Sequence, residues 1–378
     1  MELPLPSPEA LAHSATLVSH IKDRIRKEGG WIPFALYMEL ALYAPGLGYY
    51  TAGSLKLGPE GDFTTAPELT PLFGQCLAQQ VRECIDRGLT DILEVGAGSG
   101  ALAAATLEEL DRLDALPQRY FILELSPELR ARERDTLARR VPQFLERVVW
   151  LNRLPPAFQG VVIGNEVLDA MPVEIIRRRA GAYAQGGVNG ALEWEFRDAE
   201  AELLSTAKTL ELPDDYLSEV PLIGRAFIKS VLQILERGVL IFIDYGFPAR
   251  EFYHPQRNSG TLMCHYRHRA HDNPFFLPGL QDITAHVDFS SVAHTALEVG
   301  AEVLGYSTQA QFLINCGITD LMMRIPPDDA ARYLPLASAA HKLLSPAEMG
   351  ELFKVIAIGK EIEGPLRGFK AGDRKETL

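Results

Sequence analysis

The sequence predicts an α/β protein built on a parallel, doubly wound sheet. From residue 91 onward, short apolar runs alternate with longer segments of helical pattern, as right-handed strand–helix–strand crossovers require. The first five runs are nearly continuous in apolar residues, as expected of strands that helices cover on both faces. A glycine-rich turn follows the first run, at an edge where sheets of this class bind ligands.

Seven segments are predicted as strands. In chain order they are 92–95, 120–123, 148–151, 161–164, 239–244, 303–306 and 353–358. Helices are expected at 101–113 and 127–139, and the second begins with Ser126-Pro127, a favourable N-cap with proline at the first helical position.

Two regions interrupt the alternation and set the predicted domain organisation. Residues 1–90 have a mainly helical pattern, broken by a long Gly/Pro/Thr-rich stretch at 44–68, and loops of such length are usually functional or disordered. Residues 180–236 form an insertion between the fourth and fifth strands. We therefore predict an N-terminal helical lobe with a ligand-covering loop at 1–90, and a sheet domain at 91–378.

The composition is that of an ordinary globular protein. The chain has 378 residues, 47% of them hydrophobic, and a formal net charge of −13, so a broad attraction to nucleic acid phosphates is not expected. The four cysteines are scattered without a CxxC pair, which favours reduced thiols. No membrane span, secretory signal or mitochondrial presequence pattern is present, which predicts a cytoplasmic protein.

The glycine-rich turn "LEVGAGSG" (93–100) is the first candidate site. Gly96, Gly98 and Gly100 let the backbone approach a ligand, and the helix that follows offers unpaired N–H groups. With Ala101 as the last residue, the spacing also satisfies G-x-G-x-x-A. The turn alone therefore fits a dinucleotide site, a methyl-donor site or a purely structural turn.

Acidic residues around the turn favour a cationic ligand. Glu94 precedes Gly96 by two residues, where a carboxylate would oppose a pyrophosphate but suit an amino group. Glu124 ends the second strand 28 residues beyond Gly96, whereas the dinucleotide fingerprint expects about 20. Glu166 and Asp169 follow the fourth strand. These features predict S-adenosylmethionine, which carries a sulfonium and an ammonium group and no phosphate.

Several longer motifs resemble one family within the class I methyltransferases, the MidA family. They span nearly the whole chain and read "GDFTTAPELTPLFG" (61–74), "LEVGAGSG" (93–100), "GNEVLDAMPVE" (164–174), "IDYGF" (243–247) and "DITAHVDF" (282–289). The resemblance implies a Rossmann-like sheet of seven strands, with the last strand antiparallel and inserted between the fifth and sixth. It also implies a methyltransferase acting on a protein substrate, since the family includes a mitochondrial arginine methyltransferase.

The same resemblance implies a set of cofactor contacts. The glycine turn would line the methionine part, Glu94 the amino group, and the end of the second strand the ribose and adenine. The loop at 61–67 would fold over the cofactor, although its phenylalanine also suits a core position. The implied cofactor residues are Phe63, Thr65, Glu94, Gly96, Ala97, Gly98, Gly100, Glu124, Leu125, Ser126 and Asn165.

The end of the fourth strand is where the family places the transferred methyl group. Glu166 and Asp169 are the implied catalytic residues, and Glu174 and His286 the implied substrate contacts. Carboxylates can bind a guanidinium through paired hydrogen bonds, and the arginine acceptor comes from the resemblance alone. Structural alternatives stay open: Asp169 as a helix cap, Glu174 as a solvated acid and His286 as a structural histidine.

Other functions remain as alternatives. The segment "CHYRHRAH" (264–271) has a spacing that suits no common zinc signature, so no metal is expected. A nucleic-acid methyltransferase would carry an Asn/Asp-Pro-Pro-aromatic motif after the fourth strand to hold a flipped base, and "GNEVL" lacks it. A small-molecule methyltransferase and a non-catalytic cofactor-binding assembly factor also remain.

Overall fold

The computed structural model describes residues 3–52, 65–362 and 364–378. The chain forms two compact units that alternate along the sequence. Unit 1 comprises Met1–Phe63, Leu168–Phe227 and Phe247–Asp288, and unit 2 comprises Thr64–Val167, Ile228–Gly246 and Phe289–Leu378. The helix Leu72–Asp86 belongs to unit 2, where it packs into the same core as the large sheet.

Unit 2 contains the large sheet. Its first five strands in chain order pair in parallel, and Phe353–Lys360 runs antiparallel to both of its neighbours. From one edge to the other, the hydrogen-bonded path is Val148–Leu151, Arg119–Leu123, Asp91–Val95, Phe158–Asn165, Leu235–Phe247, Phe353–Lys360 and Glu302–Thr308. The central strands are mostly apolar, as expected of strands with both faces buried.

Helices and short helical turns complete unit 2. The helix Pro127–Arg140 begins as predicted, since the Ser126 side chain accepts a hydrogen bond from the backbone N–H of Leu129. The α-helices of this unit are Ala66–Leu69, Leu72–Asp86, Ala101–Arg112, Pro127–Arg140, Phe289–Glu298, Gln309–Asn315, Ile318–Met322, Ala330–Leu344 and Met349–Leu352. The 3₁₀ turns are Pro142–Arg147, Arg367–Phe369 and Lys375–Thr377. The helix Leu222–Ile234 begins in unit 1 and ends in unit 2.

Unit 1 is built on two smaller antiparallel sheets. One pairs Trp31–Pro33, Ala182–Asn189, Glu174–Arg179 and Tyr216–Val220 in that order, with Trp194–Asp198 beside Ala182–Asn189. The other is the three-stranded sheet of Arg269–His271, Met263–Tyr266 and Asp282–Thr284. The remaining elements are Pro8–Lys27, Phe34–Tyr43, Ala201–Thr209, Ala249–Phe252, Pro255–Arg257 and the short strand Val287–Asp288.

Two further predictions concern the whole chain. All four cysteines are buried free thiols, as their scattered positions predict. Over the described ranges, no helix is both long and apolar enough to span a membrane.

Candidate active site

The glycine turn of unit 2 connects the strand Asp91–Val95 to the helix Ala101–Arg112. Gly96, Gly98 and Gly100 have φ angles of 66°, 59° and 79°, a left-handed region that L side chains rarely adopt. A Cβ on Gly100 would also lie 3.1 Å from the Cα of Glu133. The turn therefore depends on glycine both for its backbone conformation and for its close packing. Ala97, at its centre, is buried.

Glu94 lies on the strand that leads into this turn. Its carboxyl group is buried and accepts a hydrogen bond of 2.7 Å from the Tyr120 hydroxyl. Burial raises the pKa of Glu94 to about 7, and the hydrogen bond from Tyr120 opposes part of that rise. The carboxyl group is thus poised to change its charge near neutral pH. Its contact with a ligand amino group stays a prediction.

We expect Glu94→Gln to make the stability of the cofactor-free protein less dependent on pH. The unfolded chain releases the Glu94 proton from its ordinary pKa of 4.5, whereas the folded chain keeps it up to about pH 7. The wild-type protein therefore loses stability across this window as the pH rises, and the variant does not. The melting temperature of the variant minus that of the wild type should therefore be larger at about pH 8.5 than at about pH 5. An equal difference at both pH values would contradict this assignment.

The end of the second strand forms a compact group of polar atoms. The backbone N–H of Ser126 donates to the Glu124 carboxylate at 2.7 Å, and burial raises the pKa of Glu124. Leu125, between them, is 74% exposed. The backbone therefore fixes the orientation of the carboxylate, and its contact with ribose hydroxyls stays a prediction.

The end of the Gly/Pro/Thr-rich stretch contacts the glycine turn. Phe63 lies outside the described residues, and Thr65 directly precedes the helix Ala66–Leu69. Within that helix, Glu68 accepts a short hydrogen bond from the Ser99 hydroxyl of the turn. Sequence reasoning missed this pair, and its only signal was a serine inside the glycine motif.

The fourth strand ends in a strained turn. Glu166 has a φ of 54°, although it is not a glycine, and its backbone N–H donates to the carbonyl of Ile243 at 2.9 Å. The Asn165 side-chain amide donates to the Glu166 carboxylate at 3.0 Å. The Asn165 carbonyl oxygen is buried and has no hydrogen-bond partner among the described residues. The structure therefore brings together two of the predicted site residues at this strand end.

Asp244 fixes the backbone beyond this turn, and sequence reasoning gave it no role. It is fully buried and accepts hydrogen bonds from the backbone N–H groups of Val167, at 3.1 Å, and Tyr245, at 2.8 Å. Gly164 is required by packing, since a Cβ there would lie 1.9 Å from a ring carbon of Phe242. The sequence feature that could have identified Asp244 is its position as an acidic residue after an apolar run, within the motif "IDYGF".

The remaining predicted residues belong to unit 1. Asp169 is buried and caps no helix, because the residues from 170 to 173 are not helical. Glu174 is no solvated acid, because its carboxylate accepts a hydrogen bond of 3.0 Å from Gln185 and burial raises its pKa. The His286 ring packs edge-on against Phe247, with ring centroids 5.2 Å apart. The substrate contacts of these three residues stay predictions.

Unit 1 also contains an aromatic and acidic cluster that the sequence did not predict. The Tyr43 and Tyr50 rings stack with centroids 5.5 Å apart, and the Tyr43 hydroxyl donates to the carbonyl of Ala170 at 2.9 Å. The Tyr50 hydroxyl lies 3.0 Å from both carboxylate oxygens of Asp282. Burial, followed by Asp282 and other neighbours that include Asp169, raises the pKa of Tyr50 well above its ordinary value. Stacked rings beside carboxylates suit a cationic ligand.

The histidine-rich segment is a hairpin of the three-stranded sheet. Met263–Tyr266 and Arg269–His271 pair antiparallel, with Cys264 opposite His271. Arg267 and His268 have positive φ angles and form the turn between the two strands. In the parts of the chain that the structure describes, no group of three or more His, Cys, Asp or Glu side chains is arranged to hold a metal ion.

Comparisons with known proteins point to one family. Residues 72–307, more than half of the chain, match a family model described as "Putative S-adenosyl-L-methionine-dependent methyltransferase". A Burkholderia thailandensis protein with bound S-adenosyl-homocysteine is 49% identical, with a TM-score of 0.95 and full coverage of both chains. The mitochondrial protein arginine methyltransferase NDUFAF7 homologue of Drosophila melanogaster is 28% identical and covers 95% of this chain and 89% of its own length. The mitochondrial NDUFAF7 of Mus musculus is also 28% identical, over 90% of this chain and 84% of its own length.

These comparisons overturn the predicted cytoplasmic location. The curated relatives from Drosophila melanogaster, Danio rerio and Mus musculus are mitochondrial proteins. A compartment is selected by signals that the sorting machinery reads, and the composition of the folded body does not encode them. The patterns on which the cytoplasmic prediction was based therefore did not identify the compartment.

Proposed function

Because the chain belongs to this family of S-adenosyl-L-methionine-dependent methyltransferases, we propose that it methylates an arginine side chain of a protein substrate. The α/β methyltransferase fold and S-adenosylmethionine as the methyl donor follow from the family itself. One observation carries the proposed acceptor: relatives named protein arginine methyltransferases align with 90–95% of this chain, across both compact units.

The proposed cofactor contacts lie in unit 2. The glycine turn with Ala97 binds the methionine part, Glu94 its amino group, Glu124 the ribose, and Leu125 and Ser126 the adenine edge. Support comes from the three left-handed glycines and from the Glu124 carboxylate, which the backbone of Ser126 holds in place. Thr65, Phe63 and Asn165 complete the proposed set.

The proposed chemistry is an in-line displacement at the methyl carbon of the sulfonium. The enzyme contributes alignment and desolvation, and a carboxylate that balances the acceptor's charge. Glu166 is assigned this role because its strained backbone and its hydrogen bond from Asn165 hold the side chain at the strand end. Asp169 is assigned to binding of the cationic acceptor, together with Glu174 and His286. The stacked tyrosines, Tyr43 and Tyr50, fit the same cationic class of acceptor.

The finer description of the fold is proposed together with the function. We infer a seven-stranded class I sheet with an N-terminal helical lobe at 1–90 and an insertion at 180–236. Support comes from the antiparallel pairing of Phe353–Lys360 between its two neighbours in the sheet.

Labelling with S-adenosylmethionine carrying a radioactive methyl group tests the acceptor. We expect a lysate incubated with the protein to yield a labelled polypeptide, and acid hydrolysis of that polypeptide to yield methylated arginine. Reactions with Glu166→Gln serve as the control for background transfer. Label that appears only in nucleic acid or in small molecules would overturn the protein acceptor, and label on another amino acid would overturn arginine.

A further inference from the structure

A third buried carboxyl group lies beside the glycine turn, and neither the motifs nor the proposed contacts include it. Glu133, in the helix Pro127–Arg140, is fully buried, and its Oε2 atom accepts a hydrogen bond of 2.8 Å from the Trp150 indole. Its Oε1 atom is also buried and has no hydrogen-bond partner among the described residues. A carboxyl oxygen left without a partner in the protein interior is costly, unless a ligand, water or proton completes it.

The backbone packing places Glu133 directly against the turn. A Cβ on Gly100 would lie 3.1 Å from the Glu133 Cα and 3.3 Å from its carbonyl oxygen. Gly100 therefore permits this approach, and a side chain there would force the turn or the helix to shift by a few tenths of an ångström. Glu133 thus belongs to the same small region of unit 2 as the proposed cofactor contacts, and Glu124 and Glu94 are electrostatic neighbours of its carboxyl group.

The charged neighbours of Glu133 are mostly acidic. Burial is the main cause that raises the pKa of Glu133 to about 8, and the Glu124 carboxylate is the next. Glu94 raises this pKa further, while the Trp150 hydrogen bond and the Arg130 guanidinium of the same helix lower it. Burial raises the pKa of the Tyr120 hydroxyl well above its ordinary value, and Glu94 and then Glu133 raise it further, so Tyr120 is another titratable neighbour of Glu133. Ionising all three carboxyl groups together in a buried site, with the Arg130 guanidinium nearby, would be energetically unfavourable.

We propose that Glu133 is a further determinant of cofactor binding, which holds a proton in the empty site and releases it to solvent when the cationic methyl donor binds. The bond that breaks is the O–H of the Glu133 carboxyl group, and the product is a carboxylate beside a positively charged ligand. The inference rests on the proposed cofactor contacts around the glycine turn and does not depend on the arginine acceptor.

Binding of S-adenosylmethionine and binding of S-adenosylhomocysteine should release different numbers of protons. S-adenosylmethionine carries a sulfonium, an ammonium and a carboxylate, whereas S-adenosylhomocysteine lacks the sulfonium charge. The methyl donor should therefore lower the pKa of the acidic group more than the product does, and release more protons on binding. Since a proton is lost, the affinity for the donor should rise with pH from about 6 to about 8, and the affinity for the product should rise less.

Calorimetry of cofactor binding tests the inference without an acceptor. The binding enthalpy of S-adenosylmethionine, measured at about pH 7.5 in buffers of different ionisation enthalpy, yields the number of protons released. We expect roughly one proton from the wild-type protein, less than half of that number from Glu133→Gln, and fewer with S-adenosylhomocysteine. The amide of glutamine still accepts the Trp150 hydrogen bond, so the variant keeps the packing. Glu128→Gln, an exposed acid of the same helix, should release as many protons as the wild type.

Trp150→Phe provides an independent variant. It removes the hydrogen bond that lowers the pKa of Glu133, so the pH at which proton release is largest should move upward. An unchanged proton number in Glu133→Gln, with binding intact, would overturn the inference and leave the methyltransferase assignment standing. A wild-type protein that binds the donor without releasing protons would also overturn it. A loss of arginine labelling in lysates would contradict only the acceptor.

Discussion

Glu166→Gln is expected to lower the rate of methyl transfer by about 10²-fold or more, the scale seen when a positioned charged group is removed. Glutamine keeps the size of the side chain and one acceptor oxygen, but it cannot balance a guanidinium charge. The affinity for S-adenosylmethionine should stay within a few-fold of the wild type, because most of the proposed cofactor contacts come from the glycine turn and Glu124. Single-turnover kinetics with the identified acceptor, together with calorimetry of cofactor binding, measure both quantities.

Asp169→Asn is the companion to this experiment. Its proposed partner is the cationic acceptor, so the variant should mainly raise the KM for the acceptor, with a smaller change in kcat. Both residues lie near the end of one strand in sequence, yet they should affect different kinetic constants. If turnover is unchanged in both variants, these acids are structural and the substrate is held elsewhere.

Gly98→Asp is expected to abolish cofactor binding, which is the second large effect. Gly98 has a φ of 59°, so an aspartate there is strained, and its anionic side chain would occupy the space where the backbone must approach the ligand. Gly300→Asp is the matched control, because Gly300 has a φ of 74° in the same unit and a Cβ there meets nothing within 4 Å. The control should carry a similar backbone penalty and still bind the cofactor.

Calorimetry with S-adenosylhomocysteine distinguishes the two glycine variants. Binding by Gly300→Asp and none by Gly98→Asp, with both proteins folded by circular dichroism, is the expected result. Equal binding by both variants would remove the glycine turn from the cofactor site. If the wild-type protein binds NADH tightly and shows no heat of binding with S-adenosylhomocysteine, the assignment of a methyl-donor site is wrong.

Local patterns in the sequence predicted much of unit 2. The strand at 161–164, the N-cap of Ser126 and the glycine turn could be read directly, because burial, capping and left-handed backbone each depend on a few neighbouring residues. Fewer of the strands and helices of unit 1 were predicted from the sequence. The strand Glu174–Arg179 was missed, because its charged residues hide the alternation that an antiparallel strand would show.

The sequence by itself determined the α/β class, the glycine turn and the acids that end the second and fourth strands, since each is encoded within one strand–turn–helix segment. Only the tertiary structure decided which distant groups surround those segments. Glu133 meets Trp150 and the glycine turn, and Asp244 holds the backbone beyond Glu166 across 77 residues of chain. Such contacts depend on how strands and helices pack, and the cost of burying a carboxyl group exists only once that packing has removed water from it.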